Sequence, residues 1–351
     1  MLRPFRLLCA CVCLALLGAG ACSKTRLGQV LPPGARIDVF PQNARAQLDA
    51  LFVIDNSKYM TVHQSRVAAQ MGRFVGWLDR AQIDWHIGLV TTDVNATPGQ
   101  FVSGGFYTSD SEGSLPGAIL GIGGNGAAIA AALEQMELGL KGPPAGFLRD
   151  GADLFLVAVT DNNDPWSPGT DDYYFRVFKG SKGKGNDGIV TLSALAGDLP
   201  SGCTIPDPNN PSGTFFAEPA PRLSGLVTRM GGRFKSLCDP AFDQVFDELG
   251  ATAAGLKRQF RLAKLPDPAT LVVHVRATCD TRAESLTFCA SVEDQCGESD
   301  PAQVCTPRAA ATGVDGWSFD ADANSILFSG NALPPRGSVV EVQYSEKGTA
   351  Q

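Results

Sequence analysis

The sequence predicts a doubly wound α/β fold followed by a small antiparallel β module, and three observations lead to this fold class. Residues 46–262 alternate short apolar stretches with amphipathic stretches of helical spacing, a pattern typical of a mostly parallel sheet covered by helices. Two of the most apolar stretches end in acidic loops, at Asp55 and at Asp161. After Pro266 the helical spacing stops, and residues 263–351 carry short alternating stretches that predict the β module.

The first 21 residues have the features of an export signal. Arg3 and Arg6 give a basic start, residues 7–17 form an apolar core, and small residues lead to Cys22. The core is too short to span a bilayer as a helix. Cleavage before Cys22 removes two arginines and no acidic residue, so the net charge changes from −7 to −9.

The segment before Cys22 resembles a bacterial lipobox, in which the cysteine is diacylated and becomes the mature N-terminus. Ala19 replaces the usual leucine, so ordinary cleavage to a periplasmic or secreted protein is the alternative. Ser23 is not an acidic retention residue, which by the same resemblance favours the outer over the inner membrane. Residues 22–45 contain Pro and Gly without a period and predict a tether between a lipid anchor and the folded chain.

The acidic charge of the mature chain limits the classes of partner it can bind. An excess of carboxylates gives no electrostatic basis for binding nucleic acid, and none for binding anionic membranes through a basic patch. Membrane contact is therefore expected through the N-terminal lipid only, and the expected partner is another protein.

Six cysteines follow the export signal, and an even number in an exported chain indicates disulfide bonds. Cys203 and Cys238 are predicted to pair with each other. The other four lie in the C-terminal module and leave three connectivities open: they are Cys279, Cys289, Cys296 and Cys305. A zinc site is disfavoured, because no Cys-x-x-Cys pair exists and the three histidines lie elsewhere.

The individual elements follow from local patterns. Residues 48–54 are nearly all apolar, as in a strand buried on both faces of a parallel sheet, and residues 61–80 have helical spacing. The other elements predicted for the α/β region are strands at 85–89, 154–159, 189–192 and near 234, and helices at 129–140, 221–230 and 241–257. The strands predicted for the module are 270–275, 316–319, 325–328 and 339–344.

Residues 46–262 resemble the von Willebrand factor A domain, most closely its exported bacterial forms. The resemblance rests on "FVIDNS" at 52–57, "GFLRD" at 146–150 and the Thr-Asp pair that follows the strand 154–159. In that family the first strand ends D-x-S-x-S, a later strand ends in Thr-Asp, and a Thr from an intervening helix completes a metal-ion-dependent adhesion site. The resemblance implies Asp55, Ser57 and Asp161 as ligands of Mg²⁺, with Ca²⁺ or Mn²⁺ as alternatives.

Two family ligands are missing, so the resemblance implies a degenerate metal site and no certain cofactor. Tyr59 stands where the second Ser belongs, and its phenol oxygen lies too far from the backbone to take that coordination position. Ala127 stands at the Thr position. The alternative is structural: Asp55 accepts backbone N–H bonds at the strand-to-helix turn, and Ser57 is the N-cap of the following helix.

Polar and aromatic residues near these loops are candidates for a binding rim at the carboxyl edge of the sheet, although the aromatic ones could equally cover the core. The candidates are Tyr59, Asn125, Asp164 and Trp166. No Ser/His/Asp arrangement is present, and a lone His63 on a helix is more typical of a surface or core residue. We therefore expect no enzyme. The sequence predicts a lipid-anchored envelope protein that binds a protein ligand at this edge, with a metal-free structural or assembly scaffold as the alternative.

Overall fold

The computed structural model of the protein describes residues 35–42, 47–95, 97–126, 130–183, 186–279, 281, 286–296, 302–309, 315–329 and 332–348. The predicted export signal, Cys22 and Ala127 lie outside these residues. No helix within the described ranges is long and apolar enough to cross a membrane.

The chain builds an α/β domain and a β module. The strands are β1 (Ala35–Pro41), β2 (Gln47–Ile54), β3 (Asp84–Thr91), β4 (Phe101–Tyr107), β5 (Asp153–Val159), β6 (Val190–Ala196), β7 (Cys203–Asp207), β8 (Asn210–Ala217), β9 (Phe234–Ser236), β10 (Gln259–Arg261), β11 (Val272–Ala277), β12 (Cys289–Asp294), β13 (Gln303–Pro307), β14 (Gly316–Asp320), β15 (Ser325–Ser329) and β16 (Val339–Ser345). The helices are α1 (Thr61–Arg80), α2 (Leu115–Ile122), α3 (Ala132–Lys141), α4 (Asp171–Gly180), α5 (Pro221–Met230) and α6 (Phe242–Ala253).

The central sheet has the order β4–β3–β2–β5–β6–β9. All neighbours in it are parallel except β4, which runs antiparallel to β3. The α/β domain starts with β2 in the middle of this sheet. The chain then adds β3 and β4 on one side of β2 and crosses to the other side to form β5. The sheet therefore has the doubly wound order, and its topological switch point lies between β2 and β5.

Helices cover both faces of this sheet, as the strand–helix alternation predicts. Phe52 of β2 packs into the core under α1, α2 and α6, whereas its neighbours Leu51 and Val53 pack into the core under α3, α4 and α5. Because β2 faces apolar side chains on both sides, its sequence is almost continuously apolar. Full burial of each such side chain stabilises the fold by about 1.5–3 kcal/mol relative to exposure.

The β module consists of two antiparallel sheets, β1–β16–β11–β13–β12 and β10–β15–β14. They share one core, which includes Phe260, Val275, Phe328 and Val342. The module thus takes β1 from before the α/β domain and β10 from its end. The predicted tether is wrong over residues 35–41, which pair with β16 along their whole length. The predicted start of the module at 263 also leaves out β10.

Disulfide bonds are present in both parts of the molecule. Cys203 at the start of β7 bonds to Cys238, just after β9, and so ties the β7–β8 hairpin to the edge of the central sheet. In the module the bonds join Cys279 to Cys296 and Cys289 to Cys305. The second of these links the neighbouring strands β12 and β13.

Candidate functional site

The candidate site lies where β2 and β5 end, at the switch point of the central sheet. Asp55 directly follows β2, and Thr160 and Asp161 directly follow β5. The Asp55 backbone N–H donates to the Val159 carbonyl at 2.8 Å, which continues the pairing of the two strands to this point. Parallel pairing therefore places both acidic loops side by side, and ligands of doubly wound sheets bind at this position.

The Asp55 carboxylate is fully buried and holds the two loops together. Its Oδ1 accepts the Ser57 backbone N–H at 2.8 Å. Its Oδ2 accepts the Thr160 hydroxyl at 2.7 Å and the Asn162 amide at 3.3 Å. Burial raises the pKa of Asp55, and the bonds from Thr160 and Ser57 oppose that rise. These contacts are those of a carboxylate that organises a strand-to-helix turn.

Asp161 is half-buried beside Asp55, and a third carboxylate joins them from the hairpin segment. The Glu218 backbone N–H donates to the Asp161 carbonyl at 2.7 Å. Burial raises the pKa of Asp161 to about 7, and the nearby charges of Asp55 and Glu218 add to the rise. Among the described residues, no Lys, Arg or His nitrogen lies within 4.0 Å of these three carboxylates. No described cation therefore neutralises these carboxylates, and the raised pKa values of Asp55 and Asp161 reduce the negative charge they carry near neutral pH.

One buried polar atom near Asp55, Asn56 Oδ1, lacks a hydrogen-bond partner within the described ranges. Thr92 follows β3, and a hydrogen bond from its buried hydroxyl lowers the pKa of Asp55. Asn56 packs against Gly126, where an added Cβ would lie 2.2 Å from Asn56 Oδ1, so only glycine allows this approach of the loop. Buried polar groups are paired in most proteins, so Asn56 Oδ1 is an exception in this loop.

The Tyr59 side chain is exposed and lies beside β8. Its side chain is 60% exposed, and its ring centroid lies 6.2 Å from that of Phe215 on β8. The Lys58 ammonium lies 5.9 Å from the Tyr59 ring centroid. Ser57 occupies the N-cap position of the short 3-10 helix Lys58–Met60, but its hydroxyl makes no capping bond. The phenol of Tyr59 thus supplies no oxygen to the Asp55 site and forms part of the exposed rim.

The other predicted rim residues divide into two kinds. Asn125 is exposed, and Trp166 is 57% exposed. The prediction that Asp164 lies on the rim is wrong, because its side chain is fully buried. Asp164 Oδ1 accepts the Ser167 hydroxyl at 2.9 Å, and Arg222 lies 3.3 Å from Oδ2. Burial raises the pKa of Asp164 to about 7.

The donor set does not match a family-type Mg²⁺ site. Mg²⁺ prefers about six oxygens in octahedral geometry. Both oxygens of Asp55 already accept hydrogen bonds, and the Tyr59 ring is exposed beside Phe215. Within the described part of the chain, no group of three or more His, Cys, Asp or Glu side chains is placed to hold a metal.

Three residues of the site were not among the predicted site residues. Thr160 belongs to the Thr-Asp pair, where only the Asp was assigned a role, although the Thr hydroxyl binds Asp55. Thr92 ends the second predicted strand, and the carboxyl edge of a buried strand was the available signal. Glu218 comes from the segment after a hairpin that no motif marks, so the local sequence gave no indication of it.

Comparisons with known proteins give limited matches. No protein-family model matches the chain, and no curated protein matches it. The solved von Willebrand factor type A structure from Catenulispora acidiphila is similar over 90% of this chain and 65% of that chain, with 12% identity and a TM-score of 0.36. Proximal thread matrix protein 1 from the mussel byssus is similar over 64% of this chain and 51% of that chain, with 8% identity and a TM-score of 0.38. The chain spans less than two thirds of either structure's length, and likenesses at this level carry no functional argument.

Proposed function

We propose that this protein is an exported, lipid-anchored envelope protein that binds a protein ligand at the carboxyl edge of its central sheet. We also propose that its α/β domain is a von Willebrand factor A-like domain whose adhesion site has lost its metal chemistry. The observation that carries the binding proposal is the group of Asp55, Asp161 and Glu218, which has no cationic partner among the described residues. Proteins that keep uncompensated charge at a cleft commonly use it for recognition.

Exposed aromatic side chains in the loops and the hairpin near the carboxyl edge of the sheet support a protein partner. Tyr59 and Trp166 are 60% and 57% exposed, and Phe216 of β8 is also exposed. Aromatic residues are enriched in the interface positions that contribute most to binding. A catalytic role has less support, because the Asp55 carboxylate is enclosed by its own donors and His63 is buried on α1. A metal-free scaffold remains the alternative, favoured by the purely structural contacts of Asp55.

The binding proposal is tested by capture of partners from envelope extract on immobilised protein. The double variant Tyr59→Ala/Trp166→Ala removes two exposed rings at the carboxyl edge, and Leu265→Ala is the matched control because Leu265 is 59% exposed in the β module. We expect the double variant to lose at least tenfold in specific capture while the control keeps it. Equal capture by all three proteins would favour the scaffold.

The anchor is tested separately with Cys22→Ser. Two acyl chains are sufficient for stable membrane anchoring, whereas the folded part described here has no spanning helix. We expect the variant to move from the membrane fraction to the soluble fraction and to lose the mass of the lipid by mass spectrometry. Retention of the variant in the membrane fraction would contradict lipidation at this cysteine.

A further inference from the structure

We propose that two copies of this chain form a symmetric dimer by pairing the free edges of their β1 strands, which are the edges that face away from β16. The two strands would run antiparallel with Ile37 opposite Ile37, and the two five-stranded sheets would become one continuous sheet. This interaction surface lies in the β module, so it goes beyond the ligand proposed for the carboxyl edge of the central sheet and does not depend on it.

The first step is that β1 is an edge strand with open backbone groups. It is the outermost strand of its sheet and pairs with β16 along its whole length. The N–H of the next residue, Gln42, donates to the Ser338 carbonyl, which lies on the β16 side. Because backbone groups alternate in direction along a strand, those of Ala35, Ile37 and Val39 face the free edge. No other strand among the described residues covers that edge.

The second step is that the sequence of β1 is complementary to itself in this register. Antiparallel pairing centred on Ile37 joins the residues with open backbone groups to one another, as two Ala35–Val39 pairs around the central Ile37 pair. Each Arg36 then lies opposite Asp38 of the other copy. Within one chain Arg36 Nε lies 2.9 Å from Asp38 Oδ1, and the Arg36 side chain is 38% exposed, so it can contact a second carboxylate. Opposite charges across paired strands stabilise the pairing.

The third step is the exposed side of the strand. Ile37 and Val39 are 37% and 57% exposed, and pairing in this register would bring the two Ile37 side chains into contact. Pro41 stands where the next N–H would face the free edge, and proline has none to donate. The open stretch therefore ends at Val39, which is where the proposed pairing ends.

The fourth step is the contrast with the other edge of the same sheet. β12 has a register shift near its start and carries Glu293 and Asp294, both exposed. Bulges and charged side chains are common means of preventing edge strands from pairing. The register of β1 with β16 has no such shift, and its two charged residues, Arg36 and Asp38, pair with each other. The sheet thus has one protected edge and one open edge, and the open edge fits a second copy of itself.

The oligomeric state of the full chain is measured by size-exclusion chromatography with light scattering. Ile37→Lys places two like charges opposite each other at the centre of the proposed pairing. Val272→Lys is the matched control, because Val272 is 42% exposed on the same face of the sheet and lies two strands in from the edge. We expect the wild type and the control to be dimers and Ile37→Lys to dimerise about tenfold more weakly or less. Thermal unfolding checks that both variants fold.

The register is tested with Ile37→Cys and Val39→Cys. Paired Ile37 positions would have Cα atoms about 5.5 Å apart, which a disulfide can span. The two Val39 positions would be offset by four residues, or about 14 Å, which it cannot span. We expect mild oxidation to cross-link Ile37→Cys into dimers and to leave Val39→Cys uncross-linked, although residue 39 is the more exposed of the two.

A wild type that stays monomeric at every concentration would overturn the proposal. In that case an Ile37→Cys thiol that resists a maleimide would indicate that another segment of the chain covers β1, and a reactive thiol would leave the edge open to a strand of a different protein. Equal weakening by Ile37→Lys and Val272→Lys would also overturn it, because association would then use the sheet face and not the edge. Cross-linking of Val39→Cys as strong as that of Ile37→Cys would contradict the antiparallel register on which the proposal depends.

Discussion

At the scale of single residues, Asp55 connects the two loops of the candidate site. Asp55→Ala would leave the Ser57 N–H, the Thr160 hydroxyl and the Asn162 amide without their acceptor. We expect a loss of about 2–4 kcal/mol in the free energy of unfolding, since each unpaired buried donor is costly. Asp55→Asn keeps one oxygen and should lose clearly less. Urea unfolding measures both values, and equal losses would show that hydrogen bonding at Asp55 does not stabilise the turn.

His63 provides a residue-scale prediction about pH. It is buried on α1, and burial lowers its pKa from 6.5 to about 4; the charge of Arg66 lowers it further, and a hydrogen bond with the Leu237 backbone opposes the shift. Between these two values the unfolded chain binds a proton that the folded chain does not. Stability due to His63 is therefore complete above pH 6.5 and is lost as the pH falls towards 4, by up to about 3 kcal/mol.

The variant His63→Gln removes this titration. We expect the difference in unfolding free energy between variant and wild type to shift in favour of the variant as the pH falls from 6.5 to 4. Asp161 and Asp164 have the opposite sign, since their raised pKa values lower stability as the pH rises from 3.8 to 7. They are present in both proteins, so the difference curve isolates His63. A difference independent of pH would rule out this role.

Residue roles at the site were only partly predictable. Asp55 and Asp161 follow buried strands, and the topology alone brings them together. The burial of Asp164 and the exposure of Trp166 could not be predicted from the local sequence, in which one residue separates them. Asp164 is buried because Arg222, from α5, donates to the Asp164 carbonyl at 2.6 Å and holds the loop inward. That partner is 58 residues away in the chain.

At the scale of elements, one loop is fixed by a buried ion pair at the amino edge of the sheet. The Lys182 ammonium donates to Asp49 Oδ2 and to the Arg149 carbonyl, each at 2.7 Å, and its side chain is only 3% exposed. Lys182→Met would leave Asp49 neutralised by Arg149 alone. We expect the free energy of unfolding to fall by about 3 kcal/mol, which is at the lower end of the range for a broken buried ion pair.

The matched control for this loop is Lys264→Met, because Lys264 is exposed in the β module. Guanidinium unfolding should show little change for the control. If Lys182→Met and Lys264→Met lower the free energy of unfolding equally, this ion pair does not stabilise the loop after α4. A double variant with Asp49→Asn should recover part of the loss, since the uncompensated buried charge is then removed.

Helices and strands with long sequence patterns were predicted more accurately than short ones. Helix α1 covers the predicted range 61–80, because 20 residues give many turns of consistent apolar spacing. The strands β1, β12 and β13 were missed, as was the β7–β8 hairpin. In β1 the inward side includes Asp38, whose carboxylate accepts the Ala263 N–H and the Tyr344 hydroxyl. A charged residue on the buried face hides the alternation, and these two partners lie more than 200 residues away.

At the scale of the whole molecule, the α/β domain is inserted into the β module between β1 and β10. The chain crosses between the two parts directly after β1, at Gln42, whose side chain is fully buried. Gln42 Nε2 donates to the carbonyls of Lys257 and Pro334, and Gln42 Oε1 accepts the Lys257 N–H. The Gln42 side chain thus joins the segment that leaves the β module after β1 to the segment that returns to the module after α6.

This junction predicts coupled behaviour of the two parts. Gln42→Ala would leave three backbone groups unpaired at the crossing, and we expect a loss of about 2–3 kcal/mol in the free energy of unfolding. Gln343→Ala, on the outward side of β16, is the control. Hydrogen exchange should accelerate both in β16, which pairs with β1, and at the end of α6, because the same residue holds both segments. Faster exchange in one segment alone would mean that Gln42 fastens only one part, and that the inserted domain and the module open independently.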